Sequence, residues 1–311
     1  MDDLVLRLAQ SQGGVVTTAQ ARTLGWDKRS LRAAVRGGVF VDLGRGLYAV
    51  PSPAVRTAEG RHQILCRGAL LLYPDAVISH ASAVLAHSLP VFGVDLSRGW
   101  LSRPVRSEVN TQSFVIRPHL EADHCVTDWG PAVRPALAII QLTLDHGVVA
   151  GVVAGDRATH EGLVTAADLQ QVAATVKGWP RSARVTTMLA KLDGRSESVG
   201  ESRLRLDLDM AGIPVVPQLV VNDEDEIFVG RVDFGVEGSP VLIEFDGLVK
   251  YREGGADALI AEKSREDRLR GLGYLVVRVK WAELDRPQLV LHRVRQAMLA
   301  ATASMNSGPA A

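Results

Sequence analysis

Thiols are scarce in this chain: 311 residues contain two cysteines, Cys66 and Cys125, far apart and without CxxC spacing. That leaves no basis for a disulfide framework or a thiolate zinc site, and a reducing compartment fits. Long apolar runs are missing too. No stretch reaches the roughly 20 apolar residues of a membrane helix, so no membrane is expected. The opening MDDLVLRLAQ is acidic and amphipathic, with no basic region leading into an apolar run. A secretory signal is therefore not expected, and the cytoplasm is the expected location. Net charge is also absent, with 35 Lys plus Arg against 35 Asp plus Glu. The overall balance points to no polyanionic partner, so any basic surface must be local.

What is present is an ordinary globular composition, 47% hydrophobic and 23% charged, with 29 Gly and 14 Pro spread along the chain. The length is too great for one small core. We expect an α/β protein of the α+β multidomain kind, with a first domain over 1–53, a mixed α/β middle domain over 54–194, a third domain over 195–300, and a flexible tail over 301–311.

In the first segment Leu4, Val5 and Leu8 give a short apolar helix face, and Gly13-Gly14 breaks it. Thr17 or Thr18 can cap a second helix over 21–24. Asp27 then caps a third, whose Leu31, Ala34 and Val35 recur at helical spacing and leave Lys28, Arg29, Arg32 and Arg36 for the other face. Val39-Phe40-Val41, a Gly44-Arg45-Gly46 turn and Leu47-Tyr48-Ala49-Val50 read as a hairpin with Arg45 at its tip. Three helices and a hairpin make a winged helix. A helix carrying several cations suits a major groove, and Arg45 on the wing suits a phosphate or the minor groove. The alternative is a protein-docking module whose arginines form a solvated face.

The run VVTTAQARTLGWDKRSLRAAVRGGVFVDLGRGLYAV resembles the N-terminal winged-helix domain of AbiEi-type antitoxins. The resemblance implies DNA binding, often for autoregulation, and brings a cognate toxin protein in as a candidate partner. Winged helices of this sort often dimerise on palindromes, which adds a homodimer to the candidates.

The middle segment reads as helices over 61–72 and 81–87, short strands over 76–79, 100–101 and 114–116, and helices over 136–143, 149–158 and 166–174. It offers no catalytic constellation. His80, at a strand-to-helix junction, reads as a cap or a hydrogen-bonded core residue more readily than as a base. His119, Asp123 and His124 have a loop spacing common by chance. HASAVLAHSLPVFG resembles a linker domain that joins a winged helix to a nuclease-like domain in many actinobacterial proteins, which bears on architecture alone.

In the last segment Leu204, Leu208 and Ala211 mark a helix with Glu201 in its first turns, ending at Gly212-Ile213-Pro214. Strands follow over 215–221, 227–234 and 240–246. A charged helix over 257–271 and a strand over 274–279 complete an α-β-β-β-α-β order, which makes the expected fold restriction-endonuclease-like. Period-two alternation lets Arg231, Asp233, Glu244 and Asp246 share one sheet face. Crowded carboxylates repel one another, and a bound cation relieves that repulsion. Oxygen-only ligation favours Mg2+ or Mn2+ over zinc.

The residues ES at 201, RVDF at 231, VLIEFDG at 241, KY at 250 and REDRLRGLGYLVVRV at 265 are similar to the Vsr-like endonuclease domains of the PD-(D/E)XK superfamily. The resemblance implies a metal-dependent DNA endonuclease, with phage defence or repair as candidate settings. Asp233 and Glu244 match its metal ligands and Glu201 its helix glutamate. Asp246 stands where the superfamily has lysine. Lys250 or Lys263 could replace that cation, or Asp246 could bind a second metal. Arg231, Arg265 and Arg278 would position phosphates. The competing expectation is a non-enzymatic antitoxin or autoregulator with a decayed nuclease fold. In a further alternative, Arg231, Asp233, Glu244 and Lys250 are merely paired on an open sheet face.

Overall fold

The computed structural model describes residues 3–118, 124–246 and 256–306. The chain forms two units, residues 1–154 with 162–190, and residues 155–161 with 191–311.

The first unit opens with α1 (Asp3–Ser11), which buries Val5 and Ala9 one turn apart. Leu4 is exposed and not part of that face, because the inward stripe begins at Val5. After β1 (Val15–Thr17) comes α2 (Thr18–Thr23). Thr17 caps it reciprocally: its hydroxyl accepts the Gln20 N–H at 3.1 Å, and the Gln20 side-chain oxygen accepts the Thr17 N–H at 3.0 Å. In α3 (Lys28–Arg36) the Asp27 carboxylate accepts the Ser30 N–H at 2.7 Å. β2 (Val41–Gly44) and β3 (Leu47–Ala49) then close a three-stranded antiparallel sheet in the order β1-β3-β2. Val5, Val16, Ala21, Trp26, Leu31 and Phe40 fill the space between helices and sheet. This is the winged-helix arrangement, with β1 as a strand the sequence reading does not assign.

The same unit continues through α4 (Pro53–Arg56), α5 (Ala58–Leu72), β4 (Val77–Ile78) and α6 (His80–Ala86). Five strands follow: β5 (Gly99–Arg103), β6 (Val109–Asn110), β7 (Phe114–Pro118), β8 (His124–Thr127) and β9 (Gly130–Val133). Four helices come next: α7 (Pro135–His146), α8 (Val148–His160), whose residues from Gly155 on belong to the second unit, α9 (Ala166–Thr175) and α10 (Ser182–Lys191). The strands order as β6-β7-β5-β4-β9-β8, with β5 parallel to β7 and β4 parallel to β9. α7 is buried continuously from Ala136 to Leu144, as an all-round apolar helix must be.

The second unit contains α11 (Val199–Met210), β10 (Val215–Asn222), β11 (Phe228–Val236), β12 (Val241–Asp246), α12 (Ala256–Gly271) and β13 (Leu275–Lys280). A 3-10 turn, Trp281–Glu283, leads into α13 (Pro287–Asn306), so the chain beyond residue 301 is helical as far as Asn306. The sheet order is β10-β11-β12-β13. The first three strands are antiparallel and β12 runs parallel to β13. A parallel neighbour requires a crossover, and α12 supplies it. The α-β-β-β-α-β order is therefore realised. Leu204 and Leu208 of α11, with Val290 and Val294 of α13, pack against Phe234, Ile243 and Phe245. Leu269 of α12 joins Val232 and Leu242 in a second cluster.

Candidate functional site

α3 turns Leu31 and Ala34 into the core and leaves Lys28, Arg29, Arg32 and Arg36 exposed. None of the four forms a salt bridge among the described residues, and Arg29 feels only the nearby charge of the capping Asp27. At the wing, Arg45 takes φ 51° between Gly44 and Gly46, both also at positive φ. Its side chain is exposed, and its Nε donates to the Tyr73 hydroxyl at 3.0 Å, so the guanidinium leans back on the C-terminal end of α5.

In the second unit the strand pattern places Asp233 and Glu244 at neighbouring positions. β11 and β12 pair at Phe234 with Ile243 and at Gly235 with Leu242. Asp233 and Glu244 are the next positions, just where the ladder pairing stops. The Asp233 carboxylate accepts the Phe245 N–H at 2.6 Å, holding the two strands together there by a side chain. On the other side of β11, Gln218 takes φ 53° and is skipped in the ladder between Pro217 and Leu219. Its amide donates to Glu201 at 3.0 Å. Glu201 reaches that point because Gly200 lets α11 press onto β12, where any Cβ would lie 2.1 Å from the Phe245 ring.

Each of these carboxylates is engaged. Glu201 accepts the Ser198 hydroxyl at 2.7 Å and the Glu197 N–H at 2.9 Å, besides Gln218. Glu244, nearly buried, is bound by Arg265 at 2.6 Å and approached by Arg278 at 3.5 Å. Arg278 also pairs with Glu266 at 2.9 Å, and Arg231 with Glu197 at 3.0 Å. Asp246 lies opposite Lys280 in the parallel register. The four residues expected on one face thus take different partners, because Arg231 reaches Glu197 ahead of α11 while Glu244 meets α12 and β13. Lys250 lies outside the described residues, as do His119 and Asp123; Lys263 and His124 are exposed. Among the described residues no three His, Cys, Asp or Glu side chains gather as a metal-binding group. A cation at Glu244 would have to displace guanidinium groups.

In the middle segment His80 is held at its backbone and at both ring nitrogens. Its N–H donates to Gln141 Oε1 at 2.9 Å, Nδ1 meets Ser79 Oγ at 2.9 Å, and Nε2 lies 3.5 Å from Asp145. Serine, histidine and aspartate in a row invite a nucleophile reading, yet Ser79 is 0% exposed and no substrate could reach it. Burial, helped by Arg117 and His146, pushes the imidazole pKa down to about 3. The ring is a neutral core group and no base.

That shift sets a pH dependence. The unfolded chain takes up a proton near 6.5, whereas the folded one resists until far lower pH. Stability is therefore complete above 6.5 and falls as pH drops toward 3. Between pH 7.5 and 5 the loss amounts to about 2 kcal/mol. Asp145, Arg117, Arg181 and His146 surround the ring, and buried His62 is shifted downward as well, so its sign is the same. Urea melts at the two pH values check this, and His80→Gln should flatten the profile. An unchanged wild-type midpoint would contradict it.

The first unit thus begins with a winged helix whose third helix carries an exposed basic face, the architecture of a DNA-binding module. In agreement, residues 3–51 match the family described as "Transcriptional regulator, AbiEi antitoxin". Among curated proteins nothing matches. One solved structure similar to this chain is the crystal structure of the RV2827C protein from Mycobacterium tuberculosis, 19% identical, covering 61% of this chain and 80% of that one at a TM-score of 0.37. Among the described residues no helix is long and apolar enough to cross a membrane.

Proposed function

We propose that this protein is a DNA-binding regulator of the AbiEi type, a non-enzymatic antitoxin that represses its own operon through the winged helix. The observation that carries the reading is α3, with four exposed cations free of salt bridges on the helix that a winged helix lays in the major groove. The family match over residues 3–51 supports it. A cognate toxin protein is the partner it implies, and a homodimer on a palindrome is its expected DNA-bound form. The test is retention of DNA from the gene's own upstream region, lost when the cations of α3 are reversed.

A second reading, a Mg2+- or Mn2+-dependent endonuclease in the second unit, draws on Asp233 and Glu244 lying at neighbouring positions where β11 and β12 part. Arg265 on Glu244, and Asp246 in place of the superfamily's lysine, weigh against it. With supercoiled plasmid and either metal, we expect no nicking, and DNA retention by Asp233→Ala and Glu244→Ala equal to that of the parent. Metal-dependent nicking abolished by both substitutions would establish the nuclease instead.

A further inference from the structure

A cavity of about 660 Å³ lies in the first unit and takes part in neither reading above. We propose that it binds a neutral, planar nitrogen heteroaromatic of the nucleobase or nucleoside class, stacked on Trp179 and read at its edge by Gln141 and Asp145.

The size is right for a small molecule, whose pockets run to roughly 300–1,000 Å³. Charge narrows the class. Arg117 pairs with Glu108 and, at 3.2 Å, with Asp145, while Arg181 lies 3.4 Å from Asp145. Two cations therefore answer two anions, His80 is neutral, and no uncompensated charge calls for an ion.

Polar groups point the same way. Gln141 and Asp145 are one turn apart on α7, so their side chains share a face. The Gln141 oxygen accepts from the His80 N–H, while its amide nitrogen has no partner among the described residues, although the residue is only 5% exposed and lines the cavity. That nitrogen remains accessible. An open donor beside a carboxylate acceptor complements a base edge, which offers an acceptor beside an N–H.

Trp179 lines the same cavity, is 39% exposed and has no ring partner among the described residues, so its indole face is available for stacking. Backbone strain converges here too. His80 at φ 52° and Arg181 at φ 68° are left-handed non-glycine residues, and both line this cavity. Such conformations gather at ligand clamps, where the surroundings over-determine them.

The experiment is ligand-detected saturation-transfer NMR on the full chain without DNA, using adenosine, guanosine, cytidine and thymidine separately, with inorganic phosphate as competitor. At least one nucleoside should bind with a Kd below about 1 mM. Trp179→Ala should weaken it about tenfold by removing the stacking platform. Gln141→Leu should remove the preference among bases, with thermal melts verifying that both variants fold. Absence of transfer from all four nucleosides at millimolar concentration would overturn the proposal. So would binding unchanged in both folded variants, or displacement by phosphate, which would make this an anion site.

Discussion

Replacing Lys28, Arg29, Arg32 and Arg36 together by glutamate is expected to weaken DNA retention at least a hundredfold at moderate salt, with the thermal midpoint little changed. The two halves of that expectation rest on different observations. The binding loss follows because each phosphate contact releases counterions and contributes about −0.9 to the slope of log K against log salt. Removing up to four contacts should flatten the slope by as much as about 3 to 4. Single Arg32→Ala should flatten it by about 1. The fold survives because the helix is held by residues the change leaves alone: Leu31 and Ala34 in the core, and the Asp27 cap. Glutamate at positions 28 and 29 suits the positive end of the helix, whereas at 36 it opposes the negative end at a cost of about 0.3–1 kcal/mol. Filter binding across a salt series, beside a melt of each variant, gives both readouts. Undiminished retention in the folded quadruple variant would remove α3 from the interface and with it the main support for the regulator reading.

The elements bearing on that prediction are legible in the sequence because their signals are local. Thr17 with Gln20, Asp27 with Ser30, and the Gly44-Arg45-Gly46 turn each act within a few residues. In the second unit the alternation of Val232 with Asp233 and of Ile243 with Glu244 anticipates β11 and β12, and Gly273 at φ 85° punctuates the end of α12. β1 is hard to read, since three residues between a glycine pair and a helix cap show no period. α13 is different. Val290, Leu291, Val294, Ala297, Met298 and Ala301 recur at helical spacing after Pro287, a signal present in the sequence but left unassigned. What a single sequence cannot display is the partnering of charges distant along the chain. Nothing near Glu244 announces that Arg265 and Arg278, expected on phosphates, pair with its carboxylate instead, and nothing near Gln141 announces Trp179. Carboxylates that look crowded in sequence are answered by arginines that only the parallel crossover brings in.

The second large effect is expected at a buried pair the sequence reading does not mention. Asp156 is 0% exposed and accepts three hydrogen bonds, from Arg205 and the Ser202 hydroxyl at 2.7 Å and from the Asp193 N–H at 2.8 Å. These tie α8 to α11 and to the chain ahead of it. Burial raises the Asp156 carboxyl pKa against the pull of Arg205, so desolvation outweighs the partner. Such a pair adds little net stability, yet losing one member strands the other. Asp156→Leu should therefore destabilise the second unit by about 3–5 kcal/mol, leaving the buried Arg205 cation with only the Ser196 hydroxyl and the Asp193 charge to answer it. Arg205→Met should cost a similar amount, since it strands the carboxylate. The double replacement Asp156→Leu with Arg205→Met removes both charges and should lose less than the sum of the single changes by about 2 kcal/mol or more. It should not return to the parent value, because Ser202 and the Asp193 N–H lose their acceptor whenever Asp156 is replaced, at about 1–3 kcal/mol each. Urea denaturation of the four proteins closes the cycle. Strict additivity would mean that the two charges are not coupled, and that α8 is held to α11 by apolar packing instead.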